Sequence, residues 1–249
     1  MPTANRSVLV LAGSLLLPAF ARAQEQRPSD SVYTLRGSDS SPEYSYGNTF
    51  PATALPFGFN LWTPVTNGNT RSWLYEYSSR VIRGFAASHQ PSPWIGDYAS
   101  FHLMPSAASQ PLTAAETALE FDHRDEVARP YYYSVWFPNP GIKAEIAPTE
   151  HAAILRFTFS PATRGRVLFD TVDNASGSID VNRSGGRISG HVDQDGYRSF
   201  FAAQIDRPID AVVDPNGGGL NLAVDFDTGE TGQVQLRVDR ARERVERLL

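Results

Sequence analysis

The stretch Ile142-Lys143-Ala144-Glu145-Ile146 alternates apolar and charged residues one for one, and the same rhythm returns down the rest of the chain. Leu155, Phe157 and Phe159 alternate with Arg156 and Thr158. Leu220, Leu222, Val224 and Phe226 share one face, with Asn221 and Asp225 on the other, and Val234, Leu236 and Val238 repeat the pattern. A period of two over five or more residues puts one side of an extended chain in a core and the other in water. Upstream, Tyr131 to Phe137 is an aromatic, strand-favouring run. Turn-forming residues separate the segments: Pro138-Asn139-Pro140-Gly141, Ser184-Gly185-Gly186, Asp195-Gly196 and Asn216-Gly217-Gly218-Gly219. Many strands at short spacing, with almost no helix between them, predict an all-β fold, an antiparallel sandwich of two large sheets.

The half before Pro130 is less regular. Proline, glycine and aromatic residues are dense from Tyr44 to Met104 without helical periodicity, which reads as loops on a β scaffold, and Ala114 to Leu119 reads as one helical turn. Residues 24–41 are polar and read as a linker into a sandwich domain at 42–238. At the start, Arg6, an apolar run from Val8 to Phe20 and the exit Ala21-Arg22-Ala23 make a signal peptide over residues 1–23, cleaved after Ala23. That predicts a secreted or periplasmic protein, and the run falls short of the ~20 apolar residues that span a bilayer. At the end, Val238, Ala241, Val245 and Leu248 recur at spacings of three, four and three, with arginines at 240, 242, 244 and 247 between them. This predicts a short amphipathic helix from Asp239 to Leu249. It either docks on the sandwich or begins a connection to a second domain.

The 249 residues are 41% hydrophobic and 20% charged, a composition that can bury a core. A net charge of −5, spread along the chain, argues against nucleic acid or an anionic membrane surface as partner. There is no cysteine, so an oxidising destination adds no disulfide.

The segment richest in chemistry is Ile82-Arg83-Gly84-Phe85-Ala86-Ala87-Ser88-His89-Gln90-Pro91-Ser92-Pro93-Trp94-Ile95-Gly96-Asp97-Tyr98. Two prolines stiffen the backbone and hold His89, Trp94 and Asp97 in fixed relation. An indole face can carry the C–H face of a sugar ring, while imidazole and carboxylate bond its hydroxyls. The competing reading is that Trp94 fills a core while His89 and Asp97 satisfy buried backbone groups. Elsewhere, Asp193-Gln194-Asp195-Gly196 lacks the later ligands of a calcium loop and reads as a hairpin turn. Gly217 to Gly219 lacks the lysine of a phosphate loop. The five histidines show no zinc spacing, so no metal ligand is assigned. Among Glu76, Asp97, Asp125 and Glu126 nothing singles out a catalytic pair. Asn174-Ala175-Ser176 and Asn182-Arg183-Ser184 fit the glycosylation pattern.

Longer motifs give these residues a context. Gly47-Asn48-Thr49-Phe50-Pro51-Ala52-Thr53-Ala54-Leu55-Pro56-Phe57-Gly58 resembles the opening motif of glycoside hydrolase family 92. The stretch from Gly84-Phe85 through His89-Gln90-Pro91-Ser92-Pro93-Trp94-Ile95-Gly96-Asp97-Tyr98 resembles its second motif, continued by Phe101-His102-Leu103-Met104-Pro105. The segments Asp125 to Val135 and Ile142 to Glu150 resemble a third and a fourth, in order, from about Tyr44 to the C-terminus.

The resemblance implies an N-terminal β-supersandwich, galactose-mutarotase-like, that normally accompanies a larger (α/α)₆ barrel. It implies inverting, calcium-dependent exo-α-mannosidase activity, with the acid, the base and the calcium site mainly in the barrel. Sandwich loops would close one side of the sugar pocket. On that template Trp94, His89 and Asp97 become substrate-binding candidates, with Trp73 and Asn48 behind them, and no catalytic residue falls in this chain. The implied partners are an α-mannoside or N-glycan-type carbohydrate and a catalytic barrel in cis or in trans. Two other readings stay open: a stand-alone carbohydrate-binding module, and a fragment without a function of its own.

Overall fold

The computed structural model describes residues 27–39, 49–66, 74–89, 101–109, 112, 117–171, 176–194, 196–215 and 221–241. The leader expected at 1–23, the helical turn from Ala114 and the glycine turn at 216–219 fall outside them, although Leu119 itself opens a short strand.

Sixteen strands follow one another among the described residues. They are β1 (Leu61–Val65), β2 (Val81–Ile82), β3 (Gly84–Ser88), β4 (Phe101–Ala107), β5 (Leu119–Glu120), β6 (Glu126–Arg129), β7 (Tyr132–Phe137) and β8 (Ile142–Pro148). Then come β9 (Ala152–Thr158), β10 (Arg164–Thr171), β11 (Ser176–Asn182), β12 (Arg187–Gln194), β13 (Tyr197–Ile205), β14 (Ala211–Val213), β15 (Leu222–Asp227) and β16 (Gln233–Ala241). A six-stranded sheet is ordered β1-β3-β4-β10-β15-β14, an eight-stranded sheet β11-β12-β13-β16-β9-β8-β7-β6, and β2 pairs with β5. The strand pairs are antiparallel. The predicted all-β sandwich of two large sheets is therefore the observed one.

The period-two segments at 142–146, 155–159 and 234–238 supply β8, β9 and β16 of the eight-stranded sheet. The one at 222–226 is instead β15 of the six-stranded sheet, where Ala223 and Asp225 on the face read as wet are buried too. Val234, Leu236 and Val238 of β16 are buried, while Gln233, Gln235 and Arg237 between them are exposed. Rings from the two sheets meet between the layers. Phe101 stacks on Phe201 at 4.5 Å, Phe169 lies 6.2 Å from Phe201, and Phe85 meets Tyr133 edge-on at 6.0 Å. Such pairs add roughly 0.5–1.5 kcal/mol each beyond the burial of their area.

The chain departs from the sequence reading at both ends of the domain. The helix expected from Asp239 does not begin there: Asp239, Arg240 and Ala241 continue β16, paired with Ala202, Phe201 and Phe200 of β13. The reason lies in the period, because Arg240 follows Val234, Leu236 and Val238 on the inward face. Its side chain is fully buried, and its guanidinium donates to Ser199 Oγ at 2.6 Å and to the Ala87 carbonyl of the opposite sheet. An arginine in that register looks like helix surface in a sequence. Residues 242–249 lie outside the described part. At the other end, the stretch read as a linker joins the domain early. Leu35 is buried in the core and the Ser38 carbonyl accepts from Tyr77 N at 3.0 Å.

On the outer face of the eight-stranded sheet, Glu145 is buried among donors. Arg156 Nε and Nη2 reach it at 2.7 and 2.8 Å, Tyr132 Oη at 2.6 Å and Lys143 Nζ at 3.2 Å. Arg156 foremost, then Tyr132 and Lys143, hold its carboxyl down at about 2, against the upward push of burial. A depressed carboxylate stabilises the fold above its unfolded value and loses that contribution as pH falls through the folded one. Glu145→Gln is expected to lower stability at pH 7 by on the order of 2 kcal/mol, with the deficit shrinking as the pH approaches 2. Urea melts of both proteins at pH 7 and near pH 2.5 check this, and an unchanged deficit contradicts it.

Candidate functional site

His89 stands just past the end of β3, where the chain leaves the six-stranded sheet. Its Nδ1 lies 2.7 Å from the Phe59 carbonyl, and its ring stacks on the Phe59 ring at 4.0 Å and 25°. A carbonyl oxygen only accepts, so Nδ1 carries the proton. A neutral His89 then keeps its lone pair on Nε2, which can accept from a ligand hydroxyl. Phe59 is fixed by its own amide, which donates to Glu150 O at 2.7 Å in the β8–β9 turn, and its ring lies 5.7 Å from His151. Beside it, Asn60 Nδ2 donates to His151 O at 2.6 Å. Asn60 Oδ1 and Ser88 Oγ are buried without a protein partner, which leaves hydrogen-bonding capacity next to the histidine. Of the other sequence candidates, Trp94, Asp97, Trp73 and Asn48 lie outside the described residues.

The carboxylates tell a different story. Glu126 is buried at the start of β6 and accepts from Tyr75 Oη at 3.0 Å, Tyr133 Oη at 2.7 Å and His123 Nδ1 at 2.7 Å. His123 is itself stacked on Tyr77 at 3.9 Å, with Nε2 2.6 Å from the Tyr77 carbonyl. Burial, with Glu126 alongside, pushes the Tyr75 and Tyr133 hydroxyls up. This is a closed internal network, and it pins the edge of the eight-stranded sheet to the loop before β2. Asp225 is spent on Arg166 at 2.5 and 2.8 Å, and Asp193, from the segment that faintly resembles a calcium loop, on Arg198 at 2.6 and 2.7 Å. Among the described residues no three His, Asp or Glu side chains gather to hold a metal. Those residues do not offer the oxygen-rich set that calcium takes.

The four motifs, far apart in sequence, converge here. Thr53 of the first pairs with Trp62 of β1, and its Oγ1 donates to Arg129 O of the third at 2.9 Å. Ala54 N donates to Pro130 O at 2.7 Å. Phe59, directly after the first motif, joins His89 of the second to Glu150 of the fourth. The model of the glycosyl hydrolase family 92 N-terminal domain matches residues 31–239. The chain belongs to this family. Among solved structures it is similar to the family GH92 inverting mannosidase BT2199 from Bacteroides thetaiotaomicron, at 28% identity and a TM-score of 0.78, over 89% of this chain and 33% of that one. The family GH92 α-mannosidase BT3965 from the same organism matches at 23% identity and a TM-score of 0.72, over 88% of this chain and 34% of that one. The same enzyme in complex with mannoimidazole matches at a TM-score of 0.70. No match arises among curated protein sequences. The family 92 domain described here thus spans about a third of the length of the solved structures it matches.

The sequence reading named His89 within a stiff loop; the structure places it just past β3, beside Phe59, Asn60 and His151, which that reading did not single out. The signal for Phe59 was its position directly after Pro56-Phe57-Gly58, where a turn delivers an aromatic ring. The geometry fixes a tautomer that can be observed. In the neutral ring, nitrogen-15 shifts of His89 are expected to show a protonated Nδ1 and an unprotonated Nε2, and the reverse assignment contradicts the arrangement.

Proposed function

We propose that this chain forms one side of a mannoside pocket, as the N-terminal domain of an inverting exo-α-mannosidase of the family 92 type. The observation that carries this reading is His89. It sits on a rigid strand end, clamped against Phe59, with Nε2 able to accept from a hydroxyl and the Trp94–Asp97 motif following directly in the chain. An inverting glycosidase needs two carboxyls about 6.5–9.5 Å apart, one donating a proton to the leaving oxygen and one activating water. The buried carboxylates Glu126, Glu145 and Asp225 are already bonded to tyrosine, histidine, lysine or arginine. As the family resemblance implies, we assign the acid, the base and the calcium to the part of the enzyme that its relatives carry beyond this third. The role of this chain is to bind and orient the sugar. The leader at 1–23 would deliver it out of the cytoplasm, where mannosides of N-glycan type are met.

The purified chain is expected to leave p-nitrophenyl α-mannoside intact and to give turnover once an (α/α)₆ part of a family 92 mannosidase is supplied with calcium. In that assembly His89→Ala should lower kcat/KM at least about tenfold, the loss of a charge-neutral hydrogen bond plus positioning. Hydrolysis by the chain alone, or equal kcat/KM for wild type and His89→Ala, overturns the reading.

A further inference from the structure

Nine large hydrophobic side chains are exposed among the described residues, and six of them belong to three segments that are stitched together: Val32, Tyr33, Leu55, Phe57, Val127 and Tyr131. The stitching is explicit. Tyr131 Oη donates to Asp30 Oδ1, Arg129 Nη1 donates to Asp30 O at 2.6 Å, and Ala54 N donates to Pro130 O at 2.7 Å. Val127 and Arg129 lie on β6, the last strand of its sheet, with β7 as its one neighbour. Apolar side chains scattered singly over a surface need no explanation, but a gathered set marks an interaction site.

Phe57 is the outlier within this rim. It is fully exposed, and its φ of 60° lies in the left-handed region that residues with a β-carbon avoid. The turn that holds it is locked at both ends: Gly58 N donates to Leu55 O at 3.0 Å, and Phe59 N to Glu150 O at 2.7 Å. Gly58 is wedged so closely that a β-carbon there would come 3.2 Å from Leu55 O and 3.3 Å from Glu150 O. The fold thus holds an aromatic ring out into solvent on a strained, rigid support, a pattern that occurs at functional contacts. A phenyl ring has no polar edge to keep wet. A sugar platform gains from the N–H of tryptophan or the O–H of tyrosine, whereas a bare phenyl ring gains most from complete enclosure.

What encloses it follows from size. The matched third of the relatives is this domain, so a body about twice as large accompanies it in those proteins. We propose that this rim is the docking surface for that body, with Phe57 inserted as the anchor into an apolar socket on it and Leu55 and Tyr131 flanking the socket. The proposal rests on the reading of the chain as the N-terminal domain of a longer enzyme, and it adds the residue that joins the two parts. Phe57 borders the His89 site through Phe59, so the same contact that joins the parts sets the edge of the pocket.

The test co-expresses the 249-residue chain with the portion of the BT2199 mannosidase beyond its family 92 N-terminal domain, and measures their association without sugar. Wild type and Ile154→Ser, which changes an exposed residue on the outer face of the eight-stranded sheet, should associate alike. Phe57→Gly should weaken association at least about tenfold, as truncating a central aromatic anchor does. The thermal midpoint of Phe57→Gly should be no lower than that of wild type, because glycine accepts a φ of 60°. If the BT2199 portion is insoluble alone, its recovery in the soluble fraction with wild type but not with Phe57→Gly gives the same readout. Equal association of the Phe57→Gly chain, or no association of wild type, overturns the proposal. So does self-association of the chain that Phe57→Gly abolishes, which would assign the rim to a second copy. So does mannobiose binding lost in Phe57→Gly with association intact, which would make Phe57 a sugar platform. Mannosidase turnover separates this from the pocket reading. Association through Phe57 without turnover leaves the docking surface and removes the function, and turnover indifferent to Phe57 does the reverse.

Discussion

With no cysteine in the chain, the two sheets are held together by what meets between them. The seam is aromatic: Phe85, Phe101 and Phe169 from the six-stranded sheet against Tyr133, Phe137 and Phe201 from the eight-stranded one. Each fully buried phenylalanine contributes roughly 1.5–3 kcal/mol through burial alone, so six rings supply a large part of a core's net stability. Apolar packing has no direction, however, and does not by itself fix how one sheet sits on the other. Arg240 adds the direction. It reaches from β16 to the carbonyl of Ala87 on β3, with Ser199 taking a second donor. Desolvating a guanidinium is costly, and such a group is retained only where its hydrogen bonds are made. Its position ties the last strand to β3, the strand that leads into His89.

That position also explains what the sequence could and could not tell. Strands β8, β9 and β16 were legible because one of their faces is wet, which writes the period of two directly into the residues. The six-stranded sheet has no such face among much of its length. In β3 all five residues are buried, and on its outer side Val65, Leu74 and Ala86 form a second apolar cluster with Phe50. Thr63, Ser88 and Ser106 are also fully buried. A strand covered on both sides shows no alternation, so the stretch from Tyr44 to Met104 read as loops although it contains β1, β3 and most of β4. Arg240 failed for the converse reason. Its charge broke an apolar series that its geometry continued, and the apparent helical spacing from Val238 filled the gap.

The site was legible only in part, for a related reason. His89 could be named because it lies inside a long motif. Phe59, which orients it, acts through a carbonyl and a ring face, and neither leaves a mark in residue type. Nor does a single motif describe the site. The first motif binds the third through Thr53 and Ala54, and Phe59, the residue directly after it, links the second to the fourth. What looks in sequence like four separate signatures is one contact region around residues 53–60, brought together by strand order.

The surface itself weighs against a free-standing binding module. Across the outer face of the eight-stranded sheet the charges are matched for water: Glu145 with Arg156 and Lys143, Asp239 with Arg237, Asp193 with Arg198. A strand at the end of a sheet is ordinarily guarded by charge, proline or a covering loop. Beside β6 the opposite is found, with Val127, Tyr131, Leu55 and Phe57 exposed and the nearby Arg129 turned onto the Asp30 carbonyl. A domain selected to stand alone would have little use for an apolar rim on a strained turn, since each such residue invites association without contributing to its own core. A domain selected to meet another would need one, and under the proposed function would place it beside the His89 site. The position of Phe57, one turn from the ring that clamps His89, satisfies both requirements with a single stretch of chain.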